Sequence, residues 1–360
     1  MNVPKIRFNG FEEEWQENKL CDIARITMGQ SPNSENYTND SNDTLLIQGN
    51  ADLNNGKVIP RLFTKQVTKT CDKNDIIMTV RAPVGDIAIS DYNACIGRGV
   101  CSIKSSKFVY HYLDYLKMKD YWKKISKGST IDSITSDDIK SLLIKTPNKK
   151  EEERIIKTID LINKKIELQS KKIEDLKLFK KGLSNNIFNN LKNFEEYKLG
   201  DLCNITTGKL DANAMVENGK YRFYTCAKEY SFIDEYSFDT EALLISGNGA
   251  YVGYIHYYNG KFNAYQRTYV LDQFSQNIQF IKCYLDENLS RRIKSEKKEG
   301  NTPYIVLSTL SDMIIKVPSK ENQKNISNII NYHQKKILLE ENKLKKLQEL
   351  KKGLMQNMFV

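Results

Sequence analysis

The stretch IKTPNKKEEERIIKTIDLINKKIELQSKKIEDLKLFKKGLSNNIF at residues 144–188 decides the fold, because it occurs again near the end of the chain. Residues 315–359 read IKVPSKENQKNISNIINYHQKKILLEENKLKKLQELKKGLMQNMF and align with it without a gap, and 18 of the 45 aligned residues are identical. A shorter match pairs KLCDIARITMG at 19–29 with KLGDLCNITTG at 198–208. The chain is therefore an internal repeat in which a domain and a tail each occur twice.

Each tail predicts one long helix, because its apolar residues recur at alternating spacings of four and three. Polar residues interrupt this seam at Gln169 and Lys180, and at the equivalent Glu340 and Lys351. A seam of more than four heptads predicts that the two helices pair as a coiled coil, although two independent surface helices are an alternative. We expect the pair to be antiparallel within the chain. The predicted seam residues are Ile155, Ile159, Ile162, Ile166, Ile173, Leu176, Ile326, Ile330, Ile337, Leu344 and Leu347.

The segments that precede the tails predict compact domains rich in short strands, because β-like runs alternate with Gly, Asn and Asp turns. Pro147 and Pro318 stand just before the two helices, where a helix boundary is expected. The predicted fold class is α+β, with two α/β domains separated by a pair of long antiparallel coiled-coil helices in a pseudo-two-fold repeat. The predicted segments are a first domain at 1–146, a central helix at 147–190, a second domain at 191–317 and a C-terminal helix at 318–360.

The composition is that of a folded protein without a membrane span. The 360 residues are 40% hydrophobic and 28% charged, and no apolar run approaches the about 20 residues that cross a bilayer. The first twenty residues contain charges throughout and no signal-peptide apolar region. Because the seven cysteines are scattered without a C-x-x-C pair, we expect reduced thiols in the cytoplasm and neither a disulfide framework nor a zinc site.

The sequence lacks recognisable catalytic motifs. The three histidines, at 111, 256 and 333, are far apart, which argues against zinc hydrolases and against Ser/His or Cys/His nucleophiles. The segment GNADLNNGKV at 49–58 resembles a phosphate-binding loop, but its glycine spacing is wrong and Val58 replaces the required Ser or Thr, so we interpret it as a polar turn. The chain is predicted to bind and not to catalyse.

Charge and loop composition favour duplex DNA as the ligand. The net charge is +10, but the helices at 150–188 and 321–359 contribute +3 and +4, which is typical of solvated helix faces. Polar and basic residues beside glycines in the two domains carry more weight, because such side chains reach base edges and phosphates. An internal ion pair for Arg81 or Arg267 is the alternative. The predicted DNA-binding residues are Gln30, Ser31, Arg81, Arg98, Lys209, Tyr251, Gln266 and Arg267.

The whole chain resembles the specificity subunit of Type I restriction-modification systems. The resemblance lies in VPKIRFNGFEEEW before KLCDIARITMGQSP, in VRAPVGDIAIS and CIGRGV, in SGNGAYVGYIHYYNGKFNAYQRTYV, and in the twin endings KKGLSNNIF and KKGLMQNMF. It implies that each domain is a target recognition domain for one half of a bipartite, asymmetric DNA site. It also implies that the helix pair sets the spacer and docks two methyltransferase subunits, which restriction subunits join.

The same resemblance implies no catalytic centre and no cofactor on this chain, with S-adenosylmethionine, magnesium and ATP bound by the partner subunits. No membrane partner is expected. Two other interpretations stay open at this point. A nuclease is disfavoured by the missing motifs, and a coiled-coil scaffold that binds only proteins leaves the Arg- and Gly-rich loops unexplained.

Overall fold

A computed structural model describes residues 3–126, 133–296 and 304–360 and divides the chain into two compact units. Unit 1 comprises Met1–Gln169 and Lys343–Val360, and unit 2 comprises Ser170–Asn342. Each unit thus contains one strand-rich domain together with parts of both long helices.

The strands of unit 1 form a two-stranded ladder, β1 with β13, and two larger sheets. The order of the six-stranded sheet is β2-β12-β9-β10-β6-β5, and that of the five-stranded sheet is β3-β7-β4-β11-β8. The strand bounds are β1 Gln16–Lys19, β2 Arg25–Met28, β3 Tyr37–Thr38, β4 Thr44–Ile47, β5 Leu53–Asn54, β6 Lys57–Val58, β7 Phe63–Thr64, β8 Thr70–Cys71, β9 Ile76–Thr79, β10 Ile87–Ile89, β11 Ala94–Ile96, β12 Val100–Lys104 and β13 Leu143–Thr146.

The described helices that begin in unit 1 are α1 Leu20–Ile23, α2 Lys107–Met118, α3 Tyr121–Ser126, α4 Ser136–Lys140 and the long α5 Lys149–Asn189, which continues into unit 2. The amphipathic α2 covers the six-stranded sheet. Along β9, Ile76 and Met78 pack toward α2, while Ile77 packs among residues of the other sheet. Burial on both faces explains why this strand is an unbroken apolar run.

Unit 2 repeats this plan with a ladder of β14 and β21 and one larger sheet of order β15-β20-β18-β19-β16-β17. The strand bounds are β14 Phe194–Lys198, β15 Asn204–Thr207, β16 Tyr221–Tyr224, β17 Ser231–Ile233, β18 Phe238–Ser246, β19 Ile255–Ala264, β20 Thr268–Asp272 and β21 Ile314–Pro318. The helix bounds are α6 Leu199–Leu202, α7 Ile278–Glu296, α8 Leu307–Ser311 and the long α9 Lys320–Met358. These elements confirm the α+β class and the internal repeat.

The long helices pack antiparallel within each unit. In unit 1, Ile155 and Ile159 near the start of α5 share a core with Met355 and Met358 near the end of α9. In unit 2, Phe188 near the end of α5 shares a core with Ile330 near the start of α9. The predicted seam residues that are buried are Ile155, Ile159, Ile162, Ile173, Ile330 and Ile337, and those that are half-buried are Ile166, Leu176, Ile326, Leu344 and Leu347.

Polar interruptions of the seam have partners. The Glu340 carboxylate lies 3.1 Å from the Lys172 ammonium, and the Lys351 ammonium lies 2.8 Å from the Asp114 carboxylate. Because the compact units cut across both helices, the four segment boundaries drawn from the sequence stay a prediction.

Candidate nucleic-acid interface

Three neighbouring strands of unit 1 meet at one edge of the six-stranded sheet. Because β12 runs antiparallel to both β2 and β9, the ends of β2 and β9 lie beside the start of β12, with Met28 opposite Cys101 and Thr79 opposite Val100. The segments that leave these strands carry Gln30 and Arg81, and the segment before β12 carries Arg98. The antiparallel register therefore gathers the predicted residues of unit 1 at this edge.

Backbone hydrogen bonds fix this edge. The Arg98 N–H donates to the Ser31 Oγ at 3.1 Å, and the Gln30 N–H donates to the Ile96 carbonyl at 2.9 Å. Arg81 forms an isolated antiparallel bridge with Ser133. The side chains of Gln30, Arg81 and Arg98 are exposed, so they are available to a ligand.

Unit 2 builds the same edge from β15, β20 and β18. Thr207 lies opposite Tyr269, and Ser246 lies opposite Thr268. Lys209 follows β15, and Gln266 and Arg267 precede β20, all three with exposed side chains. The two edges therefore correspond strand for strand.

Tyr251 lies in the connection from β18 to β19, beyond that edge. Its ring is 44% exposed, and the Lys228 ammonium lies 5.1 Å from the ring centroid. A cation over an exposed aromatic face is a contact pattern that suits a stacked base or a nearby phosphate.

Two glycines hold the edge segments close to the sheet. A Cβ at Gly29 would lie 2.1 Å from the Gly97 carbonyl oxygen, and a Cβ at Gly208 would lie 1.8 Å from the Ala264 carbonyl oxygen. Both distances are far below a van der Waals contact. This close approach explains why the short repeat at 19–29 and 198–208 ends on glycine in both copies.

A cleft of ≈ 340 Å³ lies at the edge of unit 2, lined by Thr207, Gly247, Gln266, Arg267, Tyr269, Tyr304 and Ile305. Within this lining the Tyr269 hydroxyl donates to the Ile305 carbonyl at 3.0 Å. Burial raises the pKa of Tyr269, so this hydroxyl keeps its proton and remains a donor. The cleft is thus lined by a fixed tyrosine hydroxyl, by polar side chains and by one cation, Arg267.

Sequence reasoning missed Asn248 and Tyr304 at this edge. The two residues form an isolated antiparallel bridge that matches the Arg81–Ser133 bridge of unit 1, and Tyr304 is 61% exposed. The glycine-rich run SGNGAY contained a signal for Asn248, because asparagine beside glycines marks a turn. The sequence contained no signal for Tyr304, because only the fold brings this residue to the edge.

The edge cations have no ion pair with any carboxylate inside the described ranges. This holds for Arg81, Arg98, Lys209 and Arg267. The internal ion pair considered for Arg81 and Arg267 is therefore not seen among these residues. A cation without an internal partner retains its charge for an anionic ligand.

Both long helices also expose a second row of apolar side chains, one of which, Phe179 on α5, also contacts α9, with its ring centroid 5.1 Å from that of His333. Spacings of seven and eleven residues place this row along one side of each helix. The α5 members are Leu161, Leu168 and Phe179, exposed by 59%, 55% and 56%, and the equivalent α9 members are Tyr332, Leu339 and Leu350, exposed by 63%, 61% and 52%. We call these six residues the outer row. Single exposed apolar residues are ordinary, but here the same three positions are exposed in both copies of the repeat.

The domain helix α2 is fixed to α5 by an ionic contact. The Asp160 carboxylate on α5 accepts a hydrogen bond from the Lys107 ammonium at 2.7 Å and lies 3.0 Å from the His111 Nε2. Burial, the largest cause, lowers the pKa of His111 to about 4, although Asp160 opposes the shift. His111 is therefore neutral at neutral pH and held as part of the core.

Unit 2 makes the equivalent contact from neutral groups. Asn331 on α9 stands 171 residues after Asp160, and its Nδ2 donates to the Gln279 Oε1 at 3.3 Å, while its Oδ1 lies 4.0 Å from the Cys283 Sγ. Both units thus fix a domain helix, α2 or α7, to a long helix at the same place with different chemistry.

Unit 1 is expected to lose stability as the pH falls from about 6.5 towards about 4, because the unfolded chain takes up the His111 proton near 6.5 and the folded unit only near 4. The full effect is about 3 kcal/mol. Hydrogen exchange of the α2 amides as a function of pH measures this loss of stability. His111→Cys, which copies the unit 2 contact, should flatten the slope in this range, and an unchanged slope in this variant would contradict the assignment.

Across residues 3–126, 133–296 and 304–360, no three His, Cys, Asp or Glu side chains are grouped as metal ligands. Over the same ranges, no helix combines the length and apolarity that crossing a bilayer requires.

Comparisons with known proteins agree on one family. Residues 12–178 and 191–349 both match the family described as the Type I restriction modification DNA specificity domain. A protein of Methanocaldococcus jannaschii assigned as the type I restriction enzyme MjaX specificity subunit is 35% identical over 181 residues, which are 48% of this chain and 42% of that protein. The type I restriction enzyme EcoDI specificity subunit of Escherichia coli is 40% identical over 130 residues, 36% of this chain and 29% of that protein.

The chain thus covers less than half the length of each of these two relatives. The crystal structure of the S subunit of a Type I restriction-modification system from M. genitalium has a similar fold, with a TM-score of 0.69, 20% sequence identity and coverage of 99% of both chains.

Proposed function

Because this chain belongs to the family of Type I restriction-modification specificity subunits, we propose that it selects the DNA target of such a complex and has no catalytic centre of its own. The sheet edge of unit 1 contacts one half of a bipartite, asymmetric site, and the edge of unit 2 contacts the other half. The long helices set the spacing between the half-sites.

The observation that carries this proposal is the repeated edge. Both units bring the same three strand ends together, and both place exposed basic and amide side chains there. Arg, Lys, Gln and Asn are the side chains that contact phosphates and base edges. A scaffold that bound only proteins would not need this chemistry at equivalent places in two domains.

Phosphate contacts and base contacts divide between different residues in this proposal. Lys209 and Arg267 are suited to phosphates, because both are exposed cations at the unit 2 edge. Such contacts set the position of the protein on the duplex and weaken with salt, whereas base contacts carry the sequence information.

The outer row is the proposed docking surface for two methyltransferase subunits. Unit 1 carries Leu161, Leu168 and Leu350, and unit 2 carries the equivalent Tyr332, Leu339 and Phe179, so each unit contributes one copy of the set. One copy per unit supports one methyltransferase subunit per unit. Restriction subunits join through this complex.

We further propose that the complex acts in the cytoplasm and that S-adenosylmethionine, magnesium and ATP bind to the partner subunits. The residues of this chain then supply only position and sequence choice. The purified chain alone should neither methylate nor cleave DNA.

Salt dependence tests the proposal on the assembled complex. We expect the logarithm of the DNA-binding constant to fall linearly with the logarithm of the salt concentration, and Arg267→Ala to reduce the slope by about one while weakening all sequences similarly. Lys73→Ala is the matched control, because the exposed Lys73 precedes β9 at the opposite end of the unit 1 sheet. A complex without a salt slope would support the protein-only scaffold and contradict the proposal.

A further inference from the structure

The two sheet edges carry different side chains at equivalent backbone positions. Val80 and Gly247 occupy the same place, because the Val80 N–H donates to the Gly99 carbonyl at 2.9 Å and the Gly247 N–H donates to the Arg267 carbonyl at 2.9 Å. The residues that follow them, Arg81 and Asn248, are therefore equivalent.

The backbone hydrogen bonds to the carbonyls of Val80 and Gly247 also match between the two units. The Val80 carbonyl accepts from the Ile134 N–H at 3.0 Å, and the Gly247 carbonyl accepts from the Ile305 N–H at 2.8 Å. The bridge partners of Arg81 and Asn248, Ser133 and Tyr304, each immediately precede these donors. Arg81 and Asn248 thus hold the same register position in the two edges.

A second equivalent pair lies in the turns before β12 and β20. Val100 N–H donates to the Gly97 carbonyl at 3.1 Å, and Thr268 N–H donates to the Tyr265 carbonyl at 2.8 Å. The residue after each acceptor is Arg98 in unit 1 and Gln266 in unit 2, and both side chains are exposed. Unit 1 therefore has two exposed arginines where unit 2 has a half-buried asparagine and an exposed glutamine.

The next position in the same turn differs for a steric reason. A Cβ at Gly99 would lie 2.1 Å from the Gln48 carbonyl oxygen, so unit 1 has no space for a side chain there. Unit 2 has Arg267 at this position, where it lines the cleft. In unit 2 the positive charge is therefore one residue further along the turn, on Arg267. The two positions that are arginines in unit 1 carry neutral amides in unit 2, on Asn248 and Gln266.

Base-edge chemistry distinguishes these two sets. In the major groove an arginine pairs bidentately with guanine O6 and N7, whereas asparagine and glutamine pair bidentately with adenine N6 and N7. We propose that Arg81 and Arg98 select guanine in the half-site of unit 1, and that Asn248 and Gln266 select adenine at the corresponding positions in the half-site of unit 2. This inference rests on the proposed function and adds the base identity to it.

The first experiment uses the unaltered complex of this chain with its methyltransferase partner. Once the two-part site is known, single guanines are replaced by 7-deazaguanine in the first half-site, and single adenines by 7-deazaadenine in the second, since both analogues lack N7. A complete bidentate pair provides about 5- to 150-fold discrimination, so the loss of one of its two hydrogen bonds should weaken binding by a measurable part of that factor for at least one replacement in each half-site. A half-site 1 without guanine, or analogues without effect in either half-site, would overturn the inference.

The second experiment exchanges the side chains. Arg81→Asn should abolish the effect of 7-deazaguanine at one position of half-site 1 and shift the modified motif there from guanine towards adenine, with half-site 2 unchanged. Asn248→Arg should produce the converse shift in half-site 2. If Arg81→Asn instead weakens binding to all sequences equally, Arg81 contacts phosphate and the inference is wrong.

The unchanged half-site serves as the internal control for folding in each variant, because it still has to be recognised. Failure of the proposed function would give a different result. In that case the unaltered complex would show no two-part motif at all.

Discussion

Replacing Leu168 and Leu339 together by Asp is expected to abolish methylation by the complex while both units stay folded. The two residues occupy equivalent positions of the outer row, one in each unit, and are exposed by 55% and 61%, so the folded chain does not need them for its core. A charge placed in a docking contact costs about 2 kcal/mol, or about 30-fold in affinity at each site. Because methylation needs both methyltransferase subunits, the two losses of affinity multiply when these subunits are at limiting concentration. The amount of complete complex then falls by about 1,000-fold.

Co-purification of the methyltransferase subunit with each variant measures this effect. Glu174→Lys combined with Lys345→Asp is the matched control, since these exposed positions are also equivalent in the repeat and lie about 120° around each helix from the outer row. The single variants Leu168→Asp and Leu339→Asp should each retain one bound methyltransferase subunit. Full association of the double Asp variant would exclude the outer row as the docking surface.

Insertion of one heptad after Gln169 and one after Asn342 should move the target of the complex to sites with a longer spacer. These residues are the last helical residues of their segments in unit 1 and unit 2, so both insertions fall at the boundary between the units. A heptad preserves the phase of the seam and adds about 10.5 Å to each helix. At 3.4 Å per base pair this equals about 3 base pairs, so sites of the original spacing should no longer be modified.

Affinity should fall somewhat, because three base pairs also rotate one half-site by about 100° relative to the other. Both half-site sequences should stay the same, and sequencing of the modified motif reads out both properties. Insertions of four residues, which break the phase of the seam, are the control and should destabilise the helix pair. An active heptad variant with the original spacer would show that the helices do not set the spacing.

The long helices could be predicted closely from the sequence because their signal is local and long. A periodic seam over 39 residues, from 150 to 188, predicted a helix that the structure places at Lys149–Asn189. The same seam predicted that the helices pair, but a heptad pattern does not set their direction, which only the structure shows to be antiparallel. No comparable signal exists for strands of two residues such as β3 and β5, because two residues show no alternation and their partners are far away in sequence.

Residue type and loop context selected the cations of the candidate site, and the structure brings them to equivalent sheet edges, while their contact with DNA stays a prediction. The equivalence of Arg81 and Asn248 could not be found, because the offset between the repeats changes along the chain. It is 171 for Ile155 and Ile326, but 167 for Arg81 and Asn248, owing to loops of different length in the two domains. Only the backbone register restores the correspondence.

The segment GNADLNNGKV shows how a local signal can be underestimated. The structure contains a short 3₁₀ turn at Asn50–Asp52 followed by the β5–β6 hairpin, where the sequence predicted only a polar turn. The Asp52 carboxylate accepts hydrogen bonds from the Gln48 and Gly49 N–H groups at 2.8 and 3.1 Å. The segment is therefore an ordered part of the unit 1 sheet, and its aspartate is used structurally.

The most direct measurement of the central claim is base-modification sequencing of DNA from cells that express this chain with its methyltransferase partner, compared with cells that express the partner alone. Two domains that each contact one half-site predict a single motif of two specified parts separated by a fixed number of unspecified base pairs, present only when this chain is expressed. A continuous motif, or the same modified sites without this chain, would contradict the account.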